Sequence, residues 1–115
     1  MTRAHELIER HIAAFNSGNA AALLADFSPT ATWVTGDYTV PEGELEEFFT
    51  SAMKALRPRL ELSRVIDGGD VVAAEMTEHW THDQTAKSAA LIAVFDLDSG
   101  QITRAKIYRE GAADA

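Results

Sequence analysis

Apolar residues at the start of the chain recur every three or four positions, which is the spacing of an amphipathic helix. The first such run is Ala4, Leu7, Ile8, Ile12 and Phe15. Gly18 can take the left-handed conformation that ends a helix, and Asn19 can cap the next one. A short second helix through Phe27 is predicted to end at Ser28-Pro29.

A strand and a third helix follow. Residues 31–35 are typical of a strand, and Gly36-Asp37 of a turn. Pro41 suits the first turn of a helix. The apolar face of this helix is Leu45, Phe48, Phe49, Ala52, Met53 and Leu56. We expect the helix to end at Arg57-Pro58, because the residue before a proline avoids helical geometry.

From residue 60 onward apolar and polar residues alternate, which is the period of a strand. Arg64 interrupts the first of these segments. Turns at 67–70, 83–85 and 98–100 separate further strands from Val71 to about His82, from Lys87 to Leu97 and from Ile102 to about Glu110. Residues 1–115 are therefore predicted to form a single α+β domain, with three N-terminal helices packed on a mostly antiparallel sheet.

The alternation also predicts which side chains face the helices. In the Val71 strand the even-numbered set contains Met76 and Trp80, so this face should be buried. Glu78 and His82 belong to the same set and would turn inward. A carboxylate and an imidazole are costly in a closed core but suit a pocket with polar groups in its wall.

The next strand is apolar on both faces. One face carries Leu91, Ala93 and Phe95, and the other carries Ala90, Ile92 and Val94. Because a strand that is apolar on both faces is normally covered on both, we predict a homodimer through the outer face of the sheet. The alternative is a central strand whose small outer residues tolerate water.

Composition and charge exclude several classes of partner. The chain has no cysteine, which excludes disulfides and thiolate metal sites, and a net charge of −8, which argues against nucleic acid and anionic membranes. The N-terminus has no signal-peptide pattern, and no apolar run approaches about 20 residues. We therefore expect a cytoplasmic location. Without a glycine-rich phosphate loop, no cofactor is expected.

Metal binding is not predicted either. Glu78 and His82 share a strand face, but four residues at about 3.3 Å each separate them by about 13 Å. The ligands of one ion must each lie within about 2 Å of it, so this pair cannot share a metal.

Several motifs resemble those of a known family. Residues 13–19, then Leu23-Leu24, Phe27 and residues 31–33, resemble the opening of SnoaL-like and ketosteroid-isomerase-like domains of the nuclear-transport-factor-2-like superfamily. Residues 98–103, continuing to Tyr108, are similar to the final hairpin of these domains. The resemblance implies a cone-shaped α+β roll, in which a curved sheet wraps around the helices and encloses a pocket, commonly in a dimer.

The catalytic positions of the family carry other residues here. The resemblance puts the oxyanion-hole tyrosine of ketosteroid isomerases at His11, their proton-shuttling aspartate near Thr35 and their second aspartate at Ala93. The aspartate of SnoaL-like cyclases falls close to Ile107. Steroid isomerisation by that mechanism is therefore not expected. The same comparison implies that Trp33, Met76, Glu78, Trp80, Phe95 and Arg109 face the pocket.

These observations predict a pocket for a small, mostly apolar or aromatic molecule with one carbonyl or carboxylate. Glu78 is the candidate general base, and His11 the candidate donor to a developing oxyanion. The predicted substrate-binding residues are Phe15, Trp33, Thr35, Asp37, Met53, Met76, Trp80, His82, Phe95, Ile107 and Arg109, with Phe49 as a further apolar candidate. Two alternatives stay open: a non-catalytic binding module in which Glu78 pairs with His11 or Arg109, and a structural dimer with a vestigial pocket.

Overall fold

The computed structural model describes residues 3–111. Within this range there are three helices, α1 (Arg3–Asn16), α2 (Ala20–Leu24) and α3 (Leu45–Leu56). The strands are β1 (Phe27–Thr35), β2 (Tyr38–Val40), β3 (Arg59–Asp67), β4 (Val71–His82), β5 (Thr85–Asp98) and β6 (Gln101–Arg109). The helices pack against one curved, unclosed and mostly antiparallel sheet, so the predicted α+β class is confirmed.

The six strands of the sheet have the order β2-β1-β6-β5-β4-β3. Strands β3 to β6 form the predicted antiparallel meander. Strand β1 lies parallel to β6, with Trp33 opposite Ala105 and Thr35 opposite Ile107. The first and last strands therefore meet, and their inward side chains share one wall of the space under the helices.

Three sequence-based expectations were wrong in detail. Phe27 does not lie on the second helix; it begins β1 and pairs with Ile102 of β6. Pro41 lies in a turn before the third helix, in which the Glu44 N–H donates to the Pro41 carbonyl at 3.2 Å, and α3 begins only at Leu45. Strand β2 was not predicted, because three residues are too few to show alternation.

The predicted break after α1 is confirmed. The Gly18 N–H donates to the carbonyl of Phe15 and the Asn19 N–H to that of Ala14, both at 3.1 Å. Gly18 has a φ of +70°, as this type of helix end requires. The Asn19 side chain then accepts from the Ala22 N–H at 3.0 Å and caps α2. Backbone groups at the end of α1 and at the start of α2 thus find hydrogen-bond partners within one short turn.

A side-chain amide joins the end of α1 to the start of β3. The Asn16 Nδ2 donates to the Leu60 carbonyl at 2.9 Å, and the Leu60 N–H donates to the Asn16 Oδ1 at 2.7 Å. An asparagine side chain can replace one edge of a strand in this way because it offers the same donor and acceptor as a peptide group. The contact holds the helix against the sheet edge.

Burial along the strands follows the predicted alternation. On β4 the buried residues are Val72, Ala74, Met76, Glu78 and Trp80. On β3 the pairing with β4 shifts between Leu62 and Arg64, where the alternation in the sequence is interrupted. No helix within residues 3–111 is long and apolar enough to cross a membrane.

Candidate functional site

A cavity of about 200 Å³ lies between the inner face of the sheet and helices α1 and α3. Its apolar wall consists of Phe15, Trp33, Phe48, Phe49, Ala52, Pro58, Leu60, Met76, Leu91 and Ile107. Its polar wall consists of His11, Thr35, Glu78 and Arg109. A cavity of about 150 Å³ accommodates benzene, so this one has room for a single substituted ring.

Glu78 and Arg109 form an ion pair at the cavity wall. The Nη1 of Arg109 lies 2.6 Å from the Oε1 of Glu78, and the two side chains are only 14% and 11% exposed. The contact is short but lacks the angle of a hydrogen bond, since the Glu78 Oε1 has no hydrogen-bond partner. The charges compensate each other in a place where either one alone would be costly.

The guanidinium of Arg109 also packs against Trp80. Its central carbon lies 5.3 Å from the centre of the Trp80 ring, which is within the range of a cation–π contact. The Nε and Nη2 of Arg109 and the Nε1 of Trp80 are buried and have no hydrogen-bond partner among the described residues. Buried polar atoms are nearly always partnered in folded proteins, so three free donors around one ion pair are unusual.

His11 is the other buried polar residue of the wall, at 2% exposure. Its ring stacks on Trp33 with a centroid distance of 6.1 Å and meets the edge of Phe95 at 5.2 Å. Burial lowers the pKa of His11 from 6.5 to about 4, although the charge of Asp26 opposes the shift. The imidazole is therefore neutral at neutral pH, and its Nδ1 has no partner among the described residues.

The structure brings most of the predicted site residues to this cavity. Those at the wall are His11, Phe15, Trp33, Thr35, Met76, Glu78, Ile107 and Arg109, with Phe49. The remaining predicted residues, Asp37, Met53, Trp80, His82 and Phe95, do not line it.

These remaining residues lie elsewhere for identifiable reasons. Phe95 and Met53 are buried in the core, where Phe95 packs behind His11. Trp80 does not line the cavity, but it contacts Arg109, which does. His82 ends β4, where it is half exposed and its Nδ1 lies 3.9 Å from Asp83, and Asp37 is exposed in the turn after β1.

Some wall residues were not assigned from the sequence. They are Phe48, Ala52, Pro58, Leu60 and Leu91. Phe48 and Ala52 are one helical turn apart on α3, and the sequence predicted that both belong to its apolar face without assigning them to the cavity. The sequence pattern does not mark Pro58 or Leu60 as wall residues, because their position depends on how β3 packs against α1. Within residues 3–111, no group of three His, Cys, Asp or Glu side chains could hold a metal ion.

A comparison with protein families identifies the chain. The family model described as a SnoaL-like domain matches residues 8–105. The chain belongs to the SnoaL-like domain family. A comparison of this SnoaL-like domain with curated proteins gave no significant match.

Solved structures share the fold of this SnoaL-like domain over nearly its full length. A nuclear-transport-factor-2-like protein of unknown function from Burkholderia pseudomallei has a TM-score of 0.85 at 15% identity, covering 96% of this chain and 92% of the other. TerC, co-crystallised with polyporic acid, has a TM-score of 0.83 at 20% identity, with coverages of 95% and 92%.

A third structure is a protein from Catenulispora acidiphila with a ketosteroid isomerase-like fold, in complex with trimethylamine. It has a TM-score of 0.81 at 18% identity and coverages of 95% and 88%. At these identities the three structures establish a common fold, and they carry no statement about the chemistry of this SnoaL-like domain.

Proposed function

We propose that this SnoaL-like domain binds a small, mostly apolar or aromatic molecule in the cavity between the sheet and α1 and α3. The observation that carries the proposal is a largely apolar cavity bordered by buried polar atoms without partners, namely the Nδ1 of His11 and the Nε and Nη2 of Arg109. A ligand with one polar group would supply those partners and fill the apolar space.

The bound molecules of two related folds are consistent with this proposal. TerC was co-crystallised with polyporic acid, and the Catenulispora acidiphila protein was solved in complex with trimethylamine. Both are small organic compounds. They support the use of this fold for small ligands, whereas the identity of the ligand here has to come from the residues of this cavity.

Filling the cavity tests the proposal. Ala52 lines the cavity, and Ala55 is an exposed residue of the same helix. We expect Ala52→Phe to abolish binding of small aromatic probes such as benzyl alcohol, benzamide and benzoate in ligand-observed NMR, because the added ring occupies their space. The matched control Ala55→Phe should bind as the wild type does. Equal binding by Ala52→Phe, or no binding by the wild type, would contradict the proposal.

General acid–base catalysis is a second candidate. It is favoured by one observation, that a carboxylate and a neutral imidazole, Glu78 and His11, line the same cavity. A carboxylate can remove a proton next to a carbonyl while a neutral imidazole donates a hydrogen bond to the resulting oxyanion. The ion pair with Arg109 favours the binding function over the catalytic one, because the Glu78 carboxylate already contacts a cation.

The catalytic candidate has its own test. Once a compound is found to be turned over, Glu78→Gln should lower kcat by roughly a hundredfold or more, because a general base typically contributes 10²–10⁴. Binding of the same compound should persist. Turnover that survives the substitution would remove Glu78 from the mechanism and leave the binding function in place.

We further propose that two copies associate through the outer face of the sheet. This face carries Ile66, Val71 and Tyr108, each between 45% and 49% exposed, beside half-buried Ile92 and Val94. Large apolar side chains exposed on one sheet face favour an interface, and Glu75 and Lys106, which lie opposite Ile92 and Val94, would form its polar part. The cytoplasmic location and the lack of nucleic-acid partners stay predictions from charge and sequence.

A further inference from the structure

We infer that the ligand of this cavity is an anion, and that Arg109 binds its carboxylate, or an equivalent planar pair of oxygens, through Nε and Nη2. The inference rests on the proposed function, because it needs a ligand in the cavity. It adds the chemical class of that ligand, an aromatic or apolar monocarboxylate, and the group that recognises it.

The chain contains an example of the geometry that we propose. Arg10 binds the carboxylate of Asp26 with the same two nitrogens, since its Nε lies 3.2 Å from Oδ2 and its Nη2 3.1 Å from Oδ1. In Arg109 these two nitrogens are buried and have no hydrogen-bond partner among the described residues, and Nη1 contacts Glu78. The two N–H groups of this edge are parallel and match the two oxygens of a carboxylate.

The balance of donors and acceptors favours an anion over a neutral ligand. Around the ion pair, the unpartnered donors are the Nε and Nη2 of Arg109 and the Nε1 of Trp80, and the unpartnered acceptor is the Oε1 of Glu78, so donors are in excess. A carboxylate in the cavity offers two acceptor oxygens to the Nε and Nη2 of Arg109. A carboxamide of the same shape offers only one, and its N–H groups would face a donor. The difference in affinity between a carboxylic acid and its amide therefore measures directly how Arg109 recognises the ligand.

A second cation lies nearby. Lys87 is opposite Trp80 in the pairing of β4 with β5, on the same face of the sheet. Among the described residues Lys87 forms no ion pair. Glu78 is the only carboxylate among the described residues of the cavity wall, and its charge is offset by Arg109. Lys87 adds one positive charge on this face of the sheet, which favours an incoming anion.

Glu78 has a double effect on such a ligand. It holds the guanidinium at the wall through Nη1, and its negative charge competes with the ligand for the same cation. Removing the charge while keeping the shape should therefore strengthen the binding of a carboxylate. This response is the opposite of the one expected if Glu78 itself bound the ligand.

Isothermal titration calorimetry with benzoate and its neutral isostere benzamide tests the inference. We expect wild-type protein to bind benzoate at least roughly tenfold more tightly than benzamide, which is the effect of about one charge-assisted hydrogen bond. Glu78→Gln should increase the affinity for benzoate. Arg109→Gln should abolish the preference, and the control Arg104→Gln, on the exposed side of the same strand, should keep it.

The Arg109→Gln variant leaves Glu78 buried without its partner, so two further variants keep the test decisive. Arg109→Lys retains the charge but not the paired donors, and should lose most of the preference for benzoate. The double variant Glu78→Gln/Arg109→Gln contains no buried charge, and should bind both probes equally.

The outcomes separate this inference from the proposed function. Benzamide binding as tightly as benzoate, with both blocked by Ala52→Phe, overturns the inference and leaves the binding cavity in place. Weaker benzoate binding in Glu78→Gln also overturns it. Absence of binding by both probes overturns the inference together with the proposed function.

Discussion

Acidification should destabilise this protein through one buried side chain, His11. Burial lowers the pKa of His11 from 6.5 to about 4 in the folded chain. A proton therefore binds the unfolded chain more readily than the folded one. The stability that depends on a neutral His11 is fully present above about pH 6.5 and decreases as the pH falls towards 4. Protonation in the fold would place a charge between Trp33 and Phe95.

The magnitude follows from the two pKa values. With 6.5 for the unfolded chain and about 4 for the fold, lowering the pH from 7 to 5 should reduce the free energy of unfolding by about 2 kcal/mol, at about 1.36 kcal/mol per pKa unit. A change of that size is a large fraction of the stability of a small domain and is easily measured.

Urea denaturation at pH 7, 6 and 5 measures this loss. His11→Leu removes the titrating group. Between pH 7 and pH 5 its free energy of unfolding should therefore decrease by about 2 kcal/mol less than that of the wild-type protein. Other titrating groups are common to the variants and cancel in the difference. Parallel curves for wild type and His11→Leu would refute the assignment.

Three further predictions concern the fold, the ion pair and the assembly. Asn16→Ala removes both hydrogen bonds to Leu60 and should lower the free energy of unfolding by about 2 kcal/mol in urea titrations; no loss would mean that the amide contact contributes nothing. Arg109→Met should lower the free energy of unfolding by about 3 kcal/mol, because it leaves the buried charge of Glu78 without a partner. Adding Glu78→Gln should restore part of this loss in a double-mutant cycle, and additive losses would argue against coupling between the two residues. Ile92→Glu should convert a dimer into monomers in analytical ultracentrifugation, and a wild-type monomer would refute the proposed interface.

Much of the fold was predictable because the determining interactions are local. The α1 end depends on Gly18 and the residues beside it, and the inward face of β4 depends on the strict period of two through Met76 and Trp80. The irregularity at Arg64 marks a real shift in pairing. In each case the physical cause lies within a few residues of its effect.

The unpredicted features depend on long-range contacts. The pairing of β1 with β6 and the contact of Asn16 with Leu60, 44 positions away, have no local pattern. The same is true of the site. The alternation predicted that Glu78 faces inward, but it left His11 and Arg109 as alternative partners, because the pairing with Arg109 depends on the register across β4, β5 and β6. A sequence can suggest the wall of a cavity more easily than the partners within it.

The proposed function requires that small molecules enter the cavity. A methyl NMR titration with benzoate tests it most directly, because Leu60, Met76, Leu91 and Ile107 supply methyl groups to the wall. We predict saturable shifts in these signals that disappear in Ala52→Phe. Shifts confined to Ile92 and Val94 on the outer face, or no shifts at all, would contradict the proposed function.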